Sequence, residues 1–362
     1  MRRRRYRKRK QRKSFGRALS TLIALVAGAA LMISYLALFL NPSGHPGVMF
    51  FGLYFIPLAL LNLLILIVSL MRGRRTALIP ILALVPALLL ADRLVRIGRP
   101  EPVESKGREI KVLTYNLGRY HGDGRKITPE AAVAGIREYI DRQDADIVCL
   151  QEFALKDTSL FSEILPAYPY RSQHLFKGGR FFGNVTLSKL PIVRSEAFTF
   201  PQSRNLSLVT DLDVGGSPVR VYNCHLESYS ISFTTLVKRL FRKDHFTDEV
   251  IQVHGRLREA TRRRTAQVEK ILSSDAASTC PSIVCGDFND SPLSYTYQQL
   301  LRRKKDSFVE SGRGFGATYS VLWPMFRIDY ILLPQESRCR DHATDRIPWS
   351  DHYPVTTSFY LE

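Results

Sequence analysis

The sequence predicts a chain in two parts: a helical region that crosses a membrane, followed by an α/β sandwich with its chemistry at one sheet edge. Three observations predict this. Residues 18–40 and 48–71 are long apolar runs. From residue 110 onward, short apolar runs of strand length recur between stretches of helical periodicity. Short polar signatures stand at the ends of those runs, where side chains emerge from a sheet.

The elements follow in order. Residues 1–17 hold eight Arg and three Lys and no acid, a solvated basic tail. The 23 residues of 18–40 (ALSTLIALVAGAALMISYLALFL), at a rise of about 1.5 Å per residue, cross a hydrocarbon core of about 30 Å. The turn NPSGHPG leads to a second run, 48–71, in which Pro57 and Asn62 are tolerable in a membrane helix. Residues 76–95 are a shorter third run with Pro80 and Pro86. The basic tail and Arg72–Arg75 belong on the cytoplasmic side. Two spans would leave the following domain in the cytoplasm, and three would export it. The near-continuous apolar character of the third run favours three. The expectation is therefore a multi-pass protein of the inner (cytoplasmic) membrane with its soluble domain periplasmic or extracellular.

Residues 98–108 form a polar linker with two prolines. The domain 109–362 opens with a strand at 110–117. A helix at 129–143 carries Pro at its start and Val133, Ile136 and Ile140 on one face. Further strands are expected at 146–150, 184–187, 206–212, 219–225, 282–285, 328–333 and 355–361. Between 226 and 274 lies a long insert. Its second half, 248–273, is a charged helix with one apolar stripe, and 226–247 is rich in Lys, Arg, Phe and Leu.

Charge narrows the function classes. The net charge is +19. The tail holds +11 of it, Arg72–Arg75 +3 and residues 92–99 +2, which leaves +3 for 101–362. The soluble domain is close to neutral, so net charge does not predict a duplex-binding face. Five cysteines are too few and too scattered for a disulfide framework or a zinc site.

The polar signatures carry the chemistry. They are Thr114-Tyr115-Asn116, Gln151-Glu152, Asn223-Cys224-His225, Gly286-Asp287-Phe288-Asn289, Arg327-Ile328-Asp329-Tyr330 and Ser350-Asp351-His352. Together they supply carboxylates, amides and two imidazoles, the set that holds a hard cation and cleaves a phosphate ester. Glu152 at a strand end suits a cation ligand, with Asn116 as a neutral neighbour. Asn223 and Asp287 each share a strand face with the residue two positions on, His225 and Asn289. An Asx turn accounts equally well for Gly-Asp-Phe-Asn. Asp329 could instead pair with Arg327.

In this order, the six signatures resemble the endonuclease/exonuclease/phosphatase (DNase I-like) superfamily across the whole soluble domain. The resemblance implies a four-layer α/β sandwich and a magnesium cofactor, with manganese as a substitute. It adds Asp351 to Asn116 and Glu152 as the metal ligands. It implies that His225 contacts the scissile phosphate or leaving group and that Asp287 orients or deprotonates water. Asn289 would then hold phosphate, and Asp329 would pair with His352, an acid/base or phosphate-binding imidazole. Arg264 and Gln267 resemble the family's supporting Arg-x-x-Gln helix. Two departures weaken a DNA-repair role: Phe153 and Ala154 follow Glu152 where a Lys is common, and Gly118 stands where a second acid would be.

The expected function is a membrane-anchored metal-dependent phosphoesterase acting on lipid head groups or small phosphate esters. A membrane-tethered nuclease is the alternative. The expected partners are the lipid bilayer and a lipid, nucleotide or nucleic-acid phosphate ester, with no obligate protein partner. An inactive scaffold on the same fold is disfavoured by the complete set of site residues.

Overall fold

The computed structural model describes residues 2–98, 105, 107–120, 127–155, 166–177, 181–229, 246–321, 323–324 and 326–361. Most of the linker expected at 98–108 and most of the basic insert 226–247 lie outside the described residues. Contacts divide the chain into two compact units, Met1–Asp92 with Leu293–Tyr295, and Arg93–Pro292 with Thr296–Glu362.

The first unit is built of helices α1 (Arg2–Leu36), α2 (Pro46–Leu53), α3 (Phe55–Met71) and α4 (Leu78–Leu89). Small residues let them approach. Ala24, Ala27 and Ala83 are buried, and a Cβ on Gly52 would lie 2.4 Å from that of Ala37. Asn62 donates to the Ala27 carbonyl at 2.9 Å, so the polar residue of α3 ties it to α1. Tyr35 Oη donates to the Ala83 carbonyl of α4 at 2.8 Å.

Ser14–Leu36 is long and apolar enough to cross a membrane. The second expected span is not one helix: α2 and α3 meet at a 61° bend. The third is shorter than expected. Its α-helix has 12 residues, about 18 Å of rise, and residues 91–96 leave the helix for a 3₁₀ turn and a short strand. Pro86 lies within α4.

The second unit holds two six-stranded mixed sheets. After β1 (Val95–Arg96), the strands are β2 (Arg108–Asn116), β3 (Ile147–Leu155), β4 (Tyr170–Phe176), β5 (Phe181–Ser188), β6 (Ile192–Thr199), β7 (Leu206–Val214) and β8 (Ser217–His225). Then come β9 (Ser282–Asp287), β10 (Lys304–Asp306), β11 (Gly314–Phe315), β12 (Asp329–Pro334), β13 (Arg338–Thr344) and β14 (Val355–Leu361). One sheet has the order β13-β14-β2-β3-β5-β4 and the other β10-β12-β9-β8-β7-β6, while β1 pairs with β11.

Helix α5 (Pro129–Gln143) covers the first sheet and α6 (Phe246–Ala276) the second. Alternation along β2 shows how one strand serves two layers. Ile110 and Val112 enter the core between the sheets, with Ile283, Cys285 and Ile331 of the facing sheet. Leu113 and Tyr115 point the other way, onto Ile136 and Ile140 of α5. The result is the four-layer α/β sandwich of the DNase I-like fold.

Strand direction explains where the polar signatures fall. Strands β2 and β3 run parallel, as do β8 and β9, and all four end at the same sandwich edge. β12 and β14 are antiparallel to their neighbours, so they begin there. Gly286 allows the close packing at this edge. Its φ is +119°, and a Cβ would lie 2.0 Å from the Cys224 carbonyl oxygen. Phe181, Phe182 and Gly183 are the first residues of β5 and pair with Leu155, Ala154 and Phe153 of β3.

Candidate active site

The site is built at the strand ends. Asn116 closes β2 and lies beside Gln151 in the register of β3. One residue further, β3 breaks register between Leu150 and Phe153. Glu152 sits in this bulge with φ of +51°, a left-handed backbone that re-aims its side chain. Its carboxylate faces the His225 Nε2 at 3.7 Å and accepts from the Arg119 Nε at 3.1 Å. Arg119 and Tyr120 also have positive φ, and the Arg119 guanidinium lies 4.6 Å over the Phe182 ring.

Asp287 is at the centre, 1% exposed. Its carboxylate accepts from the Asn116 Nδ2 at 2.9 Å, from the Asn289 backbone N–H at 2.8 Å and from the Asn289 Nδ2 at 3.1 Å. Burial, and then the neighbouring Asp329 carboxylate, push it up to about 6, against the pull of His352 and His225. The Asx turn expected at Gly-Asp-Phe-Asn is therefore present and belongs to the site.

Asp329 and His352 lie as a pair. His352 Nδ1 is 3.0 and 3.2 Å from the two Asp329 oxygens, while Nε2 faces Asp287 at 3.9 Å. Burial works to lower the imidazole. Asp329, ahead of Asp287 and Asp351, leads the carboxylates that together outweigh it and push His352 up to about 10. The pairing with Arg327 does not form, because Arg327 binds Asp306 at 2.7 Å. Thr318 Oγ1 accepts both the Ile328 and Asp329 backbone N–H groups, which fixes the start of β12.

Asp351 packs on Gly118, where a Cβ would lie 2.5 Å from its Oδ1, so this turn has room only for glycine. The neighbouring Ser350 donates to the Asn116 carbonyl and accepts the His352 N–H, tying both segments together. Tyr319 completes this side, its ring centre 5.1 Å from that of His352. Burial, and then Asp351, Asp287 and Glu152, push its hydroxyl up to about 12. Those three carboxylates thus share one neighbourhood.

His225 stands between two of them, 3.7 Å from Glu152 and 3.8 Å from Asp287. Its strand companion Asn223 is not part of the cleft. It is fully buried, and its amide bridges to the Val185 carbonyl, to Thr186 and to Gln151. Arg264 and Gln267 support the loop after β8. Arg264 donates to the Glu227 carbonyl and pairs with Asp290, and Gln267 Oε1 accepts the Glu227 N–H.

Four carboxylates therefore crowd the cleft, with Arg119 on its rim, and among the described residues no sulfur joins the donors. This donor set fits a hard divalent cation. Among the described residues, the three groups whose ligand atoms converge within 4.8 Å are Asp287, Asp329 and His352, three of the five residues that the sequence resemblance gives to catalysis rather than to the metal. Asn116, Glu152 and Asp351, assigned to the metal, border it on separate segments. Three further contributors, Arg119, Ser350 and Tyr319, were not read from sequence as functional. Ser350 lies within a signature that was and Arg119 three residues past one, while nothing local marks Tyr319.

Residues 113–352 match the Endonuclease/Exonuclease/phosphatase family, and residues 17–93 match a domain of unknown function (DUF8431). The uncharacterized protein YbhP of Escherichia coli (strain K12) is 25% identical over 282 residues, 72% of this chain and all of YbhP. An endonuclease/exonuclease/phosphatase of Beutenbergia cavernae DSM 12333 is 18% identical, covering 70% of this chain and 72% of its own, with a TM-score of 0.51. One from Bacteroides vulgatus is 17% identical, covering 70% of this chain and 100% of its own, with a TM-score of 0.51. D. rerio TDP2, complexed with a single strand DNA product, is 16% identical, covering 70% and 99%, with a TM-score of 0.51.

Proposed function

This chain belongs to the endonuclease/exonuclease/phosphatase family and is a phosphoester hydrolase; from that premise we propose that it is membrane-anchored and magnesium-dependent, and that it hydrolyses phosphate esters of lipid head groups or small molecules by in-line attack of water. The observation that carries the reading is the convergence of Asp287, Asp329 and His352, with His225 3.8 Å from Asp287. Magnesium on Glu152, Asn116 and Asp351 would neutralise charge on the phosphoryl oxygens.

The chain's own residues do the rest. Asp287, oriented by Asn116 and Asn289 and raised toward neutrality, orients the attacking water and takes its proton. Asp329 holds the proton on His352 Nδ1 and turns Nε2 toward the cleft. The charged imidazole then holds a phosphoryl oxygen. His225 donates to the phosphate or the leaving oxygen, and Asn289 supplies an amide to the same group. Anchoring raises the effective concentration of esters carried on the bilayer.

The test is the purified full chain with magnesium, offered phospholipids, inositol phosphates and plasmid DNA. Hydrolysis of the lipid or small esters that stops in EDTA is expected. Activity undiminished by EDTA would sink the mechanism. Cleavage of DNA alone would move the reading to a tethered nuclease.

The proposal extends to topology. The tail stays inside, because translocating eleven basic residues is disfavoured. Local bilayer thinning then lets the 12-residue α4 cross, placing the catalytic domain in the periplasm or outside. Alkaline phosphatase fused after Pro102 should be active and green fluorescent protein there dark. The opposite pattern would place the domain, and its substrates, in the cytoplasm.

A further inference from the structure

The second unit exposes few large apolar side chains. Among its described residues, those that stand out are Ile97, Tyr170, Val193, Ile251, Phe315 and Trp323. Three of them, Ile97, Phe315 and Trp323, gather on one surface. Val95 pairs with Phe315 and Arg96 with Gly314, so the two-residue ribbon of β1 and β11 brings 95–97 beside 314–315. The Phe315 and Trp323 rings meet edge to face at 5.9 Å. Ile97 is 94% exposed, Phe315 53% and Trp323 39%.

Arginines flank this surface. Arg346 lies 4.4 Å over the Trp323 ring, and both Arg346 and Arg313 are exposed. The segments 93–97 and 313–324 contain Arg93, Arg96 and Arg313 and no acid. The ribbon is rooted in the fold. Arg93 donates to Gln298 at 2.9 Å, and the Arg93 carbonyl accepts from Arg327 at 3.1 Å.

An exposed Trp–Phe pair flanked by arginines suits the headgroup level of a membrane, where aromatic rings are half-solvated and arginine meets lipid phosphate. Covalent reach points the same way. Val95 follows Leu89, the last residue of α4, by six residues, a span of at most about 20 Å. The surface also adjoins the catalytic cleft, because Tyr319, four residues from Phe315, bridges to His352.

We propose that Ile97, Phe315 and Trp323, with Arg96, Arg313 and Arg346, form an interfacial docking surface for an anionic lipid bilayer that holds the cleft against the membrane. The docking rests on the anchoring proposed above but not on the identity of the substrate.

The experiment uses the full chain in vesicles of phosphatidylcholine and phosphatidylglycerol, part of the lipid spin-labelled near its headgroup. The chain has two tryptophans, and Trp349 packs against Gly135 of α5. The emission lost on Trp323→Phe therefore reports Trp323. That component should be quenched by the lipid label and shielded from aqueous iodide. Arg96→Gln and Arg313→Gln should each shift the docked population about fivefold toward the undocked, as for one basic charge near an anionic surface. Quenching by iodide and not by lipid would overturn the proposal. So would quenching by neither, which would mean that the chain's own helices or a second copy cover the patch. Flotation of the chain with the vesicles in either case would leave the anchoring intact.

Discussion

Glu152→Gln is expected to lower kcat by about 10³-fold or more and to raise the magnesium concentration needed for half-maximal activity at least about tenfold. The substitution keeps size and one acceptor oxygen but removes the charge. Glu152 sits among Asp287, Asp351 and the His225 imidazole, so the protein without cation gains from relief of the acidic crowd. The lost ion pair costs little, because Arg119 is 59% exposed and Glu152 22%; such a pair contributes about 1 kcal/mol or less. Thermal stability should hold or rise while activity collapses. A variant that retains wild-type kcat across a magnesium titration would remove Glu152 from the mechanism.

Asp329→Asn and His352→Gln are each expected to cost about 10²–10⁴-fold in kcat, the usual range for a positioned acid or base. The double variant should be no slower than His352→Gln alone, because the carboxylate acts through the imidazole it holds at 3.0 Å. Multiplying losses would show that the two act separately. A stability readout in EDTA separates this from a merely structural role. His352 is raised from 6.5 to about 10 in the fold. The pair's stabilisation is thus fully present below pH 6.5 and is lost as pH rises toward 10. In Asp329→Asn that decline should flatten. An unchanged pH profile of unfolding would refute the coupling.

The strands legible in the sequence and those missed differ in one physical respect. The runs at 110–117, 146–150, 184–187, 206–212, 219–225, 282–285, 328–333 and 355–361 became β2, β3, β5, β7, β8, β9, β12 and β14, all interior to their sheets. Covered on both faces, they read as apolar runs. Apart from the two-residue ribbon of β1 and β11, the missed strands β4, β6, β10 and β13 are the four edges of the six-stranded sheets. β6 has exposed Val193, Arg194, Ser195 and Glu196, and β13 alternates exposed Arg338, Arg340 and Asp341 with few buried positions. An edge strand protects its unpaired backbone with charge, and so erases its own apolar signal. Helix α5 appears at the predicted bounds, because Thr128 caps it, Pro129 starts it and its apolar stripe meets the sheet. The second apolar run was one span by composition but bends at Tyr54.

The sequence by itself determined the layered α/β class, the apolar N-terminal region and the residue types of the site, because each is written in local composition and periodicity. Only the tertiary structure decided which polar residues share a cleft. Asn223 and His225 occupy the same strand face, yet Asn223 ties the sheets together in the interior while His225, at the strand end, faces Glu152 and Asp287. Arg327 and Asp329 are two residues apart, yet one binds Asp306 and the other His352. Tyr319 and Arg119 reach the site through a bridge and a left-handed turn that no local pattern announces. These choices depend on strand direction and register, which bring together residues up to 236 positions apart, as between Asn116 and His352 around Ser350. Local patterning fixes which face of a strand a side chain takes. Which strand ends meet is set by the packing of two sheets on one core, a property of the whole chain.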